Sequence, residues 1–392
     1  MKIKSFILAA VFSASTLLAF AQKGEISSAK SNYEKFVSLK EAASLVLAMP
    51  NIKSAKASID KAVVNEKTMA DPTAWTYKSM IYGELAIIDT IPATSRPLFD
   101  EAVAAYKKAV ELDKAGANKA NLDNVFASVF SQYELNLGVK AYQTNNFEVA
   151  YNAFNNALSY RPGDTTLTYY TGLSAINAKN YKVGIANYEK LVKTNFSANQ
   201  SIYLDLSRLY TLEGDTVKAI AFASEGAAKF NDNQLATLEI ELSLMSGKEK
   251  EVISKITEQA QKSPTNKTYP YYLGIAYSSL NEILKAEEAY LQAIKIDPSF
   301  ADAYINLGGV LLNKGINTFN VANKLPQNKQ KEYDDMIKLA NADFEKAFPY
   351  LEKASTLDPK SRLALENLKT YYIVKRNQAK VDEITAKLGS LQ

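Results

Sequence analysis

The stretch Lys267–Phe300, KTYPYYLGIAYSSLNEILKAEEAYLQAIKIDPSF, sets the reading of the whole chain. It holds two helical runs. The first carries Leu273, Gly274 and Tyr277, and the second carries Ala286, Tyr290 and Ala293 at helix spacing. Asp297-Pro298 closes the second run, because a residue before proline avoids the helical region. Gly274 and Ala286 are small, so the two helices can approach closely, while Tyr277 and Tyr290 fill the space towards the next pair. The unit is 34 residues long, and the length recurs: Gly274 and Gly308, Gly138 and Gly172, and Pro264 and Pro298 all stand 34 apart. A fixed period in this range signals stacked helix pairs rather than one closed globule. Each pair lacks a core of its own and is stabilised by its neighbours.

Working outward, Ser131–Asp164 has Leu137, Gly138, Ala150, Phe154, Ala157 and Pro162, with Asn145-Asn146 as its turn. Thr165–Ala198 keeps Gly172 and Tyr188 but has Gly184 where alanine is expected, and it lacks the closing proline. Asn199–Asp232 keeps Tyr203, Leu206, Tyr210 and Ala219. Asn233–Asn266 is weaker and is placed mainly by the better copies on either side. An N-terminal copy has Trp75 and Tyr82 on its first helix and Ala102, Tyr106 and Ala109 on its second. Ile88–Pro97, with Pro92 and Pro97, reads as an irregular loop between them. A C-terminal copy, 301–360, has Gly308 and Leu311 on one side and Ala347, Leu351 and Ala354 on the other. Its excess, about 313–341, is polar and Lys-rich, with a helical pattern resuming near Gln327 in a protruding, extended second helix. Pro349 is expected to kink that helix or start a new one. Residues 30–66 fit one diverged unit, and 361–392 fit a polar cap with Leu365, Leu368, Tyr371 and Ile384 inside. The count is about eight units and a cap, or roughly 17 to 19 helices.

The order large-x2-Leu-Gly-x2-Tyr, Ala-x3-Phe-x2-Ala, Pro resembles the tetratricopeptide repeat (TPR). The resemblance implies an all-α, right-handed superhelical solenoid of antiparallel helix pairs over residues 22–392. It also implies that the first helix of each pair lines a concave groove. Carried over by register, the groove positions are Tyr142, Gln143, Tyr169, Asn177, Arg208, Glu241, Tyr271 and Asn306. Tyrosine suits such a surface because it offers wide contact at low entropic cost, though each is equally suited to packing between helices. Asn306 sits at a position used by carboxylate-clamping arrays, but the matching lysines are absent, so carboxylate capture is not expected.

At the start, Lys2 and Lys4 precede an apolar run, Phe6–Leu18, and Ala19-Phe20-Ala21 fits a small-x-small cleavage site. Residues 1–21 therefore read as an export signal, with Gln22 first in the mature chain. The run is too short to span a bilayer, and no later segment is expected to cross one. With no cysteine, neither a lipid anchor on an N-terminal cysteine nor a disulfide is available. Without the two leader lysines the formal charge of +4 drops to about +2, which gives no basic face for nucleic acid. The composition and the Ala-Phe-Ala-Gln leader end resemble exported TPR proteins of Bacteroidetes. That resemblance implies a periplasmic location, with secretion as the alternative.

The chain has no histidine and no cysteine. This removes Ser-His-Asp and Cys-His nucleophiles and the usual nitrogen and sulfur zinc ligands. Neither G-x4-G-K-[ST] nor G-x-G-x-x-G occurs. Asp and Glu are plentiful but fall at solvated helix positions. Asn231-Asp232-Asn233-Gln234 lacks the spaced ligands of a calcium loop and reads as a turn. No cofactor, no metal and no catalytic residue is expected. The leading reading is a non-enzymatic scaffold that binds a peptide segment or envelope protein in its groove. A glycan-binding component of a nutrient-uptake system is the alternative, and a carboxylate-based hydrolase a more distant one.

Overall fold

The computed structural model describes residues 24–42 and 44–391, so the export-signal reading of 1–21 lies outside the described residues. Within them the chain is helical, with no strand. It divides into two compact units, Met1–Ile202 and Tyr203–Gln392. In unit 1, α1 (24–42), α2 (Leu45–Val64), α3 (Pro72–Ile88) and α4 (Pro92–Leu112) come first. Next, α5 (Lys119–Asn124) runs through a π-helical turn, Val125–Phe130, directly into α6 (Ser131–Gln143). Then follow α7 (Phe147–Tyr160), α8 (Thr165–Asn177) and α9 (Tyr181–Leu191). The division falls within α10 (Asn199–Leu212). Unit 2 continues with α11 (Thr216–Phe230), α12 (Asn233–Met245), α13 (Glu249–Lys262), α14 (Thr268–Ser279) and α15 (Ile283–Ile296). It ends with α16 (Ala301–Ala322), α17 (Gln330–Leu357), α18 (Arg362–Val374) and α19 (Gln378–Gly389). Consecutive helices pack on one another from α2 to α9 in unit 1 and from α11 to α19 in unit 2. The fold is all-α, built of stacked helix pairs of the tetratricopeptide type.

The turns within pairs share one backbone device. Asn145, Lys179, Gly214, Gly247, Asn281 and Arg376 all have positive φ, between 50° and 80°. The αL conformation lets the chain leave one helix and re-enter the next within a few residues. Helix starts are fixed by side-chain caps: Asp164 accepts from Leu167 N at 2.9 Å, Asp215 from Lys218 N at 3.0 Å and Asp232 from Leu235 N at 2.9 Å. Asn231, also in αL, precedes Asp232, so the Asn-rich stretch is a helix-to-helix turn.

Pairs are drawn together where one helix has no side chain. A Cβ added to Gly274 would lie 2.4 Å from the ring of Tyr290, which is 2% exposed. Gly138 faces Phe154 and Gly172 faces Tyr188 in the same way. Ala55, Ile59 and Ala62 on α2, and Leu365, Leu368, Tyr371 and Ile384 at the C-terminal end, are all buried.

Three features depart from the sequence reading. Ile88–Pro97 is not a loop: only Asp89–Ile91 separate α3 from α4, and both prolines are helical. Pro92 occupies the first helical position, where a missing N–H costs nothing, and Pro97 sits early in α4, on an exposed position. The excess near 313–341 extends both helices of its pair. α16 runs on to Ala322, and α17 passes Pro349 without ending, with that proline on the exposed side. Gly308 against Leu351 and Gly315 against Phe344 continue one seam along this long hairpin. Finally, α5 and the π-helical turn precede the helix that was expected to start at Ser131.

Candidate functional site

The first-helix positions fall into three settings. Tyr169 and Tyr271 are half-buried in the seams between helices. Tyr169 stacks at 6.0 Å on Tyr188 and lies 5.4 Å from Phe196; Tyr271 lies 6.0 Å from Tyr290 and 5.0 Å from Phe300. Burial, with Asp302 nearby, raises the Tyr271 hydroxyl pKa, so it stays protonated.

A second group ties consecutive first helices together. Asn177 Nδ2 donates to the Tyr142 hydroxyl at 3.1 Å, and Asn306 Nδ2 donates to the Tyr271 hydroxyl at 3.1 Å. The Tyr272 hydroxyl donates to the Glu241 carboxylate. Tyr272, absent from the sequence reading, is therefore part of this surface. Its signal was its place two residues before Gly274.

The third group is open. Gln143, Asn177 and Arg208 are exposed. Arg208 lies near Asp205, whose carboxyl pKa is pushed up by burial and only partly brought back by Arg208. In unit 1, Gln143 lines a cleft of about 620 Å³ between α3, the start of α4 and α6. Ala86, Ile87 and Val139 form apolar walls, while Asn136 and Lys140 stand with Gln143 on the α6 side. Ser95 Oγ and the Tyr133 hydroxyl, 3.3 Å apart and both buried, form a polar spot in the lining. Lys140 Nζ donates to the Thr90 carbonyl at 2.9 Å. The cleft is not legible in sequence, because the residues that close it fall within Ile88–Pro97, where two prolines carry the signal of a loop.

Among the described residues, no three acidic side chains gather in a way that could hold a metal ion, and no helix is long and apolar enough to cross a membrane.

This arrangement defines a helical-repeat protein whose first helices are tied to one another by side chains within each unit. Residues 135–193 match the family described as tetratricopeptide repeat, and residues 274–315 the one described as TPR repeat. The chain thus carries tetratricopeptide repeats in both units. No curated protein matches it as a sequence relative. Among solved structures, a TPR repeats protein from Bacteroides fragilis NCTC 9343 is 22% identical, covering 62% of this chain and 98% of that one, with a TM-score of 0.34. The C-terminal part of a TPR repeat-containing protein from Cytophaga hutchinsonii is 15% identical, covering 66% and 95%, with a TM-score of 0.44. YrrB, described as a TPR protein with an unusual peptide-binding site, is 16% identical, covering 55% and 98%, with a TM-score of 0.39. None of these scores reaches 0.5, so none superimposes on the chain as a whole.

Proposed function

We propose that this chain is a non-catalytic scaffold that holds a segment of another protein against its first-helix faces. The observation that carries this reading is the open cleft at Gln143, beside exposed polar positions such as Asn177 on the next first helix. Repeat arrays of this type generally serve protein interaction, and the residues here offer contact area and hydrogen bonds but no nucleophile–base pair. Export to the bacterial envelope is part of the same proposal and rests on the residue pattern of 1–21.

The test is to place a photo-crosslinkable residue at Gln143 in the full chain expressed in its native host. A discrete protein adduct that disappears with Asn177→Arg, in a variant of unchanged helicity, supports the scaffold. Absence of any adduct at Gln143 and at Asn177 overturns it. Recovery of the protein from a periplasmic extract with Gln22 at its N-terminus supports export, and a cytoplasmic form beginning at Met1 contradicts it.

A further inference from the structure

The surface that α6 and α8 present in unit 1 is nearly free of charge. Counted back from the turn residues Asn145 and Lys179, the outward positions include Asn136, Val139 and Gln143 on α6 and Tyr170, Leu173 and Asn177 on α8. None is charged, in a chain where 22% of residues are. Thr165–Asn177 contains no charged residue at all. On α6, Glu134 is buried and paired with Arg96 at 3.3 Å, which leaves Lys140 as the exposed charge, engaged with Thr90. Depletion of charge marks the centre of protein–protein contacts, whereas rims stay charged.

Resting on the scaffold reading, we infer that unit 1 holds an extended, uncharged polypeptide segment. The Gln143 amide offers both a donor and an acceptor, and the Asn136 amide, whose Oδ1 accepts from Gln132 Nε2 at 2.7 Å, adds its Nδ2 donor. An extended backbone needs both kinds of group from a partner that does not read charge. The cleft beside them, about 620 Å³ with walls of Ala86, Ile87 and Val139 and with Asp89 and Lys140 as its two charged lining residues, one of each sign, has room for one large apolar side chain of that segment. Amides and tyrosines also suit sugars, but sugar binding needs an open aromatic face. Here one face of the Tyr170 ring stacks on Phe154 at 5.5 Å and one face of the Tyr169 ring on Tyr188 at 6.0 Å, so each ring is held by packing, and a dextran probe tests the exposed part of Tyr170.

The experiment uses the full chain after the leader and arrays of random peptides, about 12 residues long, in neutral, acidic and basic sets, with a neutral dextran as the carbohydrate probe. Binding is read at about 0.05 and 0.5 M NaCl, a range over which exposed charge attraction is largely screened. The expected result is retention of neutral peptides with an affinity that changes less than about twofold with salt. Asn136→Arg and Asn177→Arg are each expected to weaken it about tenfold, and Asn152→Arg on α7 to leave it unchanged. Retention of charged peptides alone, with affinity falling about tenfold or more in high salt, overturns the uncharged-segment inference and leaves the scaffold reading standing. Retention of dextran alone, or of no peptide of any charge, overturns both.

Discussion

Lys179 has φ 62°, a backbone conformation that costs an L residue about 1–2 kcal/mol. Gly214 and Gly247 fill the same turn position at no such cost, and Asn145 and Asn281 tolerate it better than most residues. Lys179→Gly is therefore expected to raise stability by about 0.5–1 kcal/mol, once the extra unfolded-state freedom of glycine is subtracted. Gly214→Ala, whose Cβ meets nothing within 4 Å, is expected to cost about 1 kcal/mol from backbone strain alone. Urea unfolding of both variants checks the pair, and equal signs for the two changes refute the turn argument. The opposite kind of glycine is Gly274, where sterics and not φ decide. Its added Cβ must displace the buried Tyr290 ring, so Gly274→Ala is expected to cost about 1–3 kcal/mol. At the end of the same unit, the Lys267 ammonium, with help from Ser299, lowers the Asp297 carboxyl pKa to about 2. A depressed carboxyl stabilises the fold above its unfolded pKa of about 3.9 and loses that contribution as pH falls towards 2. The stability gap between wild type and Asp297→Asn should accordingly be constant above about pH 5 and close between pH 4 and 2. A gap that persists at pH 2 rules out the Lys267 pair as its source.

Helices α16 and α17 show what the sequence pattern could and could not convey. The 34-residue period gave the pairing of helices wherever Gly–aromatic contacts recur, because that contact needs one fixed offset between the two helices. The long hairpin has no such partner spacing, and its polar outer faces disguise a narrow seam of Gly308, Leu311, Gly315, Ala340 and Phe344. The π-helical turn Val125–Phe130 was hidden for a related reason: one extra residue per turn breaks the 3.6-residue rhythm by which helices are read. The sequence pattern conveyed which helix carries each candidate residue, not which side of that helix it occupies. A one-residue error in register turns a side chain by about 100°, enough to move Tyr169 or Tyr271 from groove to seam. Inside the hairpin, Lys314 Nζ meets Asp343 at 2.7 Å, and Asp343 is 5% exposed with its second oxygen unpaired. Lys314→Met leaves that carboxylate buried and alone, so a loss of about 3 kcal/mol is expected. Lys314→Met with Asp343→Leu removes both charges and is expected to recover most of it. Thermal melts of the single and double variants decide the matter, and additive losses argue against a coupled pair.

For the whole chain, stacking in pairs carries an energetic consequence that a closed globule does not share. Where each pair is stabilised chiefly by its neighbours, a defect is felt over one or two pairs and then fades. Gly138 lies against Phe154, with an added Cβ 2.6 Å from the ring, so Gly138→Ala loosens the α6–α7 pair at its closest approach. Helix α7 packs on α8, and α8 on α9, so the loss passes to that pair in weakened form. Pairs far along the chain, such as α14–α15, have their own close contact at Gly274 and owe nothing directly to Phe154. Native-state hydrogen exchange of Gly138→Ala should show faster exchange in Ser131–Tyr160, a smaller rise in Thr165–Leu191 and none in Thr268–Ile296. A single cooperative core predicts the contrary, an equal loss of protection in all three segments, since every amide then exchanges through one global opening. That uniform result excludes nearest-neighbour stacking as the source of stability, and with it the premise that each first-helix face is held in place locally.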